Sequence, residues 1–291
     1  MRTQTRSRPR VRTGLRAYLP LIKSPQTALL MATGMAGYLT ARCPVLSVPL
    51  LLGLAVALTL SIAGSTILNM WWDRDIDAQM GRTEHRPSAS GALGSATVLR
   101  VGVVTSLLGV GLAVVLDPLF GLIIFAGVFF DAVVYSIWLK RRTPWSIIWG
   151  GLAGAMPILA GRTLGVGAID LIGVLLGLGI LCWIPTHIMT FSIKYADDYA
   201  AAGVPTFVSA YGVRFTRGAI AVSSVLATIV MLLAGWQIGI QWQFWRLLAV
   251  LSLGLIVFAL VLLLRPSERV NHGLFKYASV YMLSSMTLMA I

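Results

Sequence analysis

The chain has 291 residues, 57% of them hydrophobic and only 11% charged, with a mean hydropathy of +0.85. That balance lies outside the range of soluble globular domains and points to an all-α polytopic membrane protein. The net charge of +13 raises the question of nucleic acid, but the placement of Lys and Arg follows membrane topology and argues against such a partner.

A helix needs about 20 residues to cross the hydrocarbon core. The apolar stretches divide into nine such spans, near 26–42, 49–68, 97–116, 119–139, 145–161, 171–191, 216–235, 244–264 and 274–291. They form a single membrane domain over 26–291 behind a basic cytoplasmic tail, 1–25. With the N-terminus inside, the tail carries Arg2, Arg6, Arg8, Arg10, Arg12, Arg16 and Lys23, suited to anionic lipid heads. The later inner loops carry Arg74, Arg82, Arg86 and Arg100, then Lys140, Arg141 and Arg142, then Lys194, Arg214 and Arg217, then Arg265, Arg269 and Lys276. Only Arg42, Arg162 and Arg246 of the 23 cations fall outside, and gaining or losing one span would scramble the asymmetry. Pro20, Lys23 and Pro25 interrupt any early apolar run, against a cleaved signal peptide. Two cysteines, Cys43 on an outer loop and Cys182 within span six, imply neither a disulfide framework nor a CxxC metal site.

Where the second span ends, the chain reads NMWWDRDIDAQMGRTEHRP, with Asn69, Asp73 and Asp77 four residues apart. In a helix leaving the membrane, this spacing stacks the three side chains on one face, about 6 Å apart along the axis. An acid at the bilayer centre costs on the order of 2.5 to 3.5 kcal/mol, less near the interface. Hard oxygens in this arrangement suit Mg²⁺ carrying a diphosphate, so all three are expected to be metal ligands. Asp75 points away from that stripe and reads as a solvated or paired acid. Arg82 and Arg86 follow, again four apart, and their guanidinium groups suit phosphate oxygens; His85 reads as a loop residue.

Six of the ten acids sit in two inner loops, 69–96 and 192–215. The second reads THIMTFSIKYADDYAAAGVPTF, with Lys194 one turn before Asp198, and Gly203 and Pro205 breaking the helix. Asp197 and Asp198 lie about 100° apart on a helix, so one of them faces the cavity. His187, behind Pro185 within span six, is either a satisfied packing residue or a functional group. The basic end of span four, YSIWLKRRTP, reads as a stop-transfer anchor, yet would turn Lys140 and Arg141 to the cavity if the helices form a ring. Asp131, in the same span, calls for a partner that the sequence does not name.

These stretches resemble the intramembrane UbiA-type prenyltransferases and, within them, the protoheme IX farnesyltransferase (haem O synthase) subfamily. NxxxDxxxD is matched by Asn69, Asp73 and Asp77, and DRDIDxxMxRTxxRP by Asp73 through Pro87. LKRRTP at Leu139–Pro144, GGLAGAMPILAG at Gly150–Gly161 and THxxxxxxKYxDDYxxAGVP at Thr186–Pro205 complete the likeness, collinear over about two thirds of the chain. Position 202 is Ala where the broader superfamily carries a further acid, as in the haem O form; Thr186 and Ile188 depart from the usual Pro and aromatic near the acceptor pocket.

The resemblance implies nine helices in a ring around a central cavity, closed on the cytoplasmic side by the two acidic loops and open laterally to lipid. It implies a Mg²⁺-dependent transfer from farnesyl diphosphate to haem b. Asp73, Asp77, Asp198 and Lys194 would be catalytic, Asp198 joining Asn69, Asp73 and Asp77 on the metal. Substrate contacts would come from Asn69, Arg82, Arg86, Lys140, Arg141, Tyr195 and His187, the last as haem ligand or acceptor-orienting group. It also implies a plasma-membrane enzyme with its active site facing the cytoplasm, and a downstream haem A synthase or terminal oxidase assembly as partner. Two alternatives stay open: the same chemistry on a quinone precursor or chlorophyll-type acceptor, and an ion-coupled transporter. Against the transporter, the acids cluster at one face and not at mid-membrane.

Overall fold

The computed structural model describes residues 21–22, 24–41 and 47–291. The seven cations of the basic tail, Arg42 and Cys43 lie outside the described residues. In chain order the helices are α1 (Ser24–Leu39), α2 (Val48–Trp72), α3 (Arg74–Asp77), α4 (Ser95–Leu116), α5 (Pro118–Phe129), α6 (Ser146–Val166), α7 (Leu171–Lys194), α8 (Ala196–Ala201), α9 (Phe207–Ile238), α10 (Trp242–Leu264) and α11 (Glu268–Ala290). Helix α5 runs without a break into a π-helical segment, Phe130–Leu139.

Local chemistry sets the starts. Side chains of Ser47, Asp117, Asp170, Thr206 and Ser267 cap the first turns of α2, α5, α7, α9 and α11. Left-handed Gly167 and Gly239 end α6 and α9.

The expectation of nine spans is corrected to seven. Among the described residues, α2, α4, α5 with its π-helical continuation, α6, α7, α9 and α10 are long and apolar enough to cross a membrane. Helix α1 has only 16 residues, fewer than the roughly 20 a full crossing takes. Helix α11 begins at Glu268, six residues before the expected start, and carries Glu268, Arg269, His272 and Lys276 in its first three turns.

The helices pack as two groups. Leu54, Leu58, Phe120, Ile124 and Ala160 centre one core, joining α2, α4, α5 and α6. Ile180, Ile220, Met231, Leu255 and Tyr281 centre the other, joining α7, α9, α10 and α11. Helix α1 lies against α6 and also touches α2 and α11. Its approach to α6 is so close that a Cβ at Gly161 would collide with the carbonyl oxygen of Gly34. Between the groups lies a cavity of about 540 Å³, within the range of ligand pockets.

Candidate active site

Helix α2 ends at Trp72, and Asp73, at φ −86° and ψ 5°, joins it to the single turn of α3. The helix therefore does not run straight through the motif. Still, Asp73 N–H donates to Asn69 O at 2.9 Å and Asp77 N–H to Asp73 O at 2.8 Å, preserving the four-residue step.

The three side chains nevertheless take different partners. Asn69 turns to the π-helical segment: its Nδ2 donates to Asp131 Oδ2 at 2.8 Å and its Oδ1 accepts from Ser136 Oγ at 2.5 Å. Ser65, one turn earlier on α2, also donates to Asp131. These contacts supply the partners that the sequence left unnamed for Asp131. Asp73 and Asp77 are both only 3% exposed, and buried carboxylates require compensation. Lys140 pairs with Asp73. Arg86 Nη1 reaches both oxygens of Asp77, at 2.9 and 2.7 Å.

Arg141 departs from expectation. Its guanidinium donates to both oxygens of Asp75 at 2.6 Å and to Trp72 O at 2.8 Å, leaving Asp73 Oδ1 3.8 Å away. It does not line the cavity, because the exposed Asp75 carboxylate is the better-aligned partner. The hydrogen bonds from Arg141 hold the Asp75 carboxyl below its usual range. Burial works against the charge of Lys140, but Tyr135 and the Asp73 carboxylate outweigh it and raise the Lys140 pKa.

The π-helical segment shapes this corner. Lys140 N–H donates to Tyr135 O at 2.8 Å, a step of five residues, and Lys140 Nζ lies 5.7 Å from the Tyr135 ring centroid. Such wide turns inside helices recur at functional sites. Asp131, Tyr135 and Lys140 all line the cavity.

The two acidic loops converge. Ile76 and Met80 pack with Val204, Tyr199 and Ala202, and the Arg82 guanidinium sits 5.0 Å from the Phe191 ring and 5.7 Å from Tyr195. Asp198, on the six-residue α8, is half-buried and Asp197 exposed. Lys194 is exposed, 5.2 Å from the Tyr195 ring, and borders a small recess beside Asn271 and His272 in place of the main cavity. His187 does line the cavity. Tyr135, Trp183 and Tyr199 also line it, and the sequence reading passed over them as sites. For Tyr135 a signal existed, a phenol five residues before a lysine; Trp183 and Tyr199 are seen only once the helices are assembled.

Among the described residues, no group of three or more His, Cys, Asp or Glu is gathered closely enough to hold a metal ion. The chain's own cations lie against the carboxylates. Yet Asp73 Oδ1 is buried without a hydrogen-bond partner, as is Arg82 Nε. An orphaned hard oxygen beside a second buried carboxylate fits a cation such as Mg²⁺, and an orphaned guanidinium N–H fits an anion.

The UbiA prenyltransferase family profile matches residues 30–281. The chain belongs to the UbiA prenyltransferase family. Among similar UbiA proteins, a protoheme IX farnesyltransferase of Archaeoglobus fulgidus is 36% identical over 274 residues, covering 94% of each chain. One of Korarchaeum cryptofilum is 43% identical over 215 residues, 74% of this chain and 72% of that one. One of Cereibacter sphaeroides is 33% identical over 279 residues, 92% of this chain and 89% of that one. In fold, the chain is similar to digeranylgeranylglyceryl phosphate synthase, with a TM-score of 0.80 and 19% identity over 95% of this chain and 97% of that one. A UbiA homologue from Archaeoglobus fulgidus solved with GPP and Mg²⁺ gives 0.69 and 14% identity over 94% of this chain and all of that one. At those identities the solved structures establish the shared all-α membrane fold.

Proposed function

We propose that the chain is a protoheme IX farnesyltransferase, joining the farnesyl group of farnesyl diphosphate to a vinyl group of haem b to give haem O. The observation that carries this reading is the largely apolar cavity of about 540 Å³ with Lys140 at its polar end, paired to Asp73 beside the Asp77–Arg86 pair. The apolar body suits a prenyl chain, and the charged end suits a diphosphate.

The C1–O bond of farnesyl diphosphate breaks with its electron pair going to the diphosphate. The terminal vinyl carbon then bonds to C1, and water adds to the inner vinyl carbon with loss of a proton. Negative charge therefore grows on the leaving group, and donors already aimed at it lower the barrier. Lys140, Arg82 and Arg86 are those donors, and the orphaned Arg82 Nε keeps one N–H available. Asp73, Asp77 and Asp198 would hold Mg²⁺, with Asn69 joining them on release from Ser136, and the ion would supply further positive charge at that end. Lys194 and Tyr195, which border the neighbouring recess, would complete the diphosphate contacts from the second acidic loop, with Arg141 holding the first loop through Asp75. Apolar walls keep bulk water from the allylic cation. On this reading the mouth faces the cytoplasm from the plasma membrane, which the distribution of Lys and Arg supports, and the product suits a downstream haem A synthase or terminal oxidase assembly.

The test is mass analysis of porphyrins from cells that have haem b and farnesyl diphosphate but lack their own synthase. Expression of this chain should yield haem O; unchanged haem b alone would reject the proposal.

A further inference from the structure

The cavity between the two helix groups has a polar end and a closed one. Asp131, Tyr135 and Lys140 line the polar end. Away from them the lining stops at Thr33 on α1, Leu58 on α2, Ile124 on α5, Pro157 on α6 and Ile180 on α7. Helix α2 follows this path with one side inward: Leu58, Ser61, Ile62, Ser65 and Thr66 all border the cavity, at the three- and four-residue steps of a single helix face. From Leu58 to Asp73 the chain rises about 22 Å, so position along α2 measures distance from the Asp73–Lys140 pair.

Close packing seals the far end. Gly34, the residue after Thr33, has no side chain to hold α1 away from its neighbours; a Cβ there would collide with Leu58 and sit 3.0 Å from Pro157 O. On the α5 side, Met156 lies against Gly127, where a Cβ would come within 3.1 Å of the methionine Cβ. Leu58 and Ile124 are 0% and 4% exposed, and Leu54, Phe120 and Tyr38 continue the same core. An interior packed at crystal-like density does not yield to an extra isoprene unit without shifting side chains and backbone.

We propose that Leu58, Ile124 and Met156 form a floor that measures the prenyl donor, admitting a farnesyl chain and excluding the next longer one. This rests on the prenyl diphosphate donor proposed above. With the diphosphate fixed at Lys140, the chain runs down the cavity beside α2 and its last isoprene unit meets the floor. A longer chain must displace the floor or hold its head away from Lys140, and misplacing the reacting end slows transfer. Met156, unbranched and adaptable, is the member of the floor most readily trimmed.

The experiment measures displacement of labelled farnesyl diphosphate from the purified full chain, in detergent with Mg²⁺, by geranyl, farnesyl and geranylgeranyl diphosphates. In parallel, haem b is added with each donor and the porphyrin product is weighed by mass spectrometry. Wild type should favour farnesyl over geranylgeranyl diphosphate at least about tenfold. Met156→Ala should shift that ratio about 10- to 100-fold toward geranylgeranyl diphosphate, and Leu58→Ala should shift it the same way. Leu58 is fully buried, so Met156→Ala, at a partly buried position, carries the test where Leu58→Ala misfolds. Ile62→Phe, one turn nearer to Lys140, should shorten the path and move the preference toward geranyl diphosphate by a similar factor. Wild type binding all three donors alike overturns the proposal, as do ratios that stay fixed in Met156→Ala and Ile62→Phe. Displacement needs no acceptor, which separates the two claims. Ratios that move with the floor while haem b stays unchanged sink the proposed reaction alone, whereas haem O formed with fixed ratios sinks this inference alone.

Discussion

Two ion-pair clusters lie at opposite ends of the helix bundle, and they differ in how completely their atoms are used. At one end, Arg162 Nε lies 3.1 Å from both oxygens of Asp170, Nη2 donates to Oδ2 at 2.7 Å, and Nη1 reaches Thr40 O at 2.5 Å and Thr40 Oγ1 at 3.2 Å. Asp170 also caps α7 through Gly173 N–H at 2.8 Å. Three helices are tied with no guanidinium nitrogen left over. At the other end, Lys140 and Arg86 neutralise Asp73 and Asp77, but Asp73 Oδ1, Arg82 Nε and Trp72 Nε1 remain buried without hydrogen bonds. A filled cluster holds the structure together; an unfilled one has capacity for something that arrives later.

The comparison would break if Asp73 and Asp77 proved to be structural. Asp73→Ala or Asp77→Ala should lower farnesyl transfer on the order of a thousandfold while the protein elutes folded in detergent; near-normal turnover would remove the metal assignment. Lys140→Met should lower transfer about a hundredfold, with a smaller change in farnesyl diphosphate KM than in kcat, since the donor acts on charge that develops during ionisation. The Arg162–Asp170 cluster should behave in the opposite way. Arg162→Met should destabilise the fold by on the order of 2 kcal/mol, seen as a lower Tm, with kcat of the folded fraction unchanged. The smallest effect concerns pH. Burial alone would raise the Asp170 pKa, but the hydrogen bonds from Arg162 and Gly173 outweigh it and depress it below 3.8. Its contribution is therefore complete above the unfolded value and fades as pH falls through the folded one. Wild type should lose thermal stability on acidification below about pH 4, and Asp170→Asn should lose less.

How much of this was legible depended on whether the signal was local. The apolar runs located the long helices, and the four-residue spacing of Asn69, Asp73 and Asp77 survives as a backbone step at the end of α2. Thr206 and Ser209 form a reciprocal cap that starts α9 at Phe207, but Gly212, at φ 79° and ψ 164°, interrupts it, so the long helical part begins close to the expected 216. The first and last expected spans fall short for reasons their residues already carried: too few residues in α1, and too little apolar character in α11, where Glu268, Arg269, Asn271, His272, Lys276 and several serines dilute it. Partners across the fold were not legible. Asn69 meets Asp131 and Ser136 across more than sixty residues, and Arg141 prefers Asp75 to the cavity because of where α3 turns. Ideal α-helical spacing also concealed the widened coil at Phe130–Leu139, which brings Tyr135 and Lys140 together.

That coil makes the length of the segment, as well as its composition, a determinant of the site. Removing a single codon between Phe130 and Leu139 would return the stretch to ordinary pitch and swing everything beyond it by about 100°, carrying the ammonium off its carboxylate. Alanine scanning would overlook this, since every side chain along the coil could be trimmed with the register intact; the informative lesion is a deletion, and a compensating insertion nearby should reverse it.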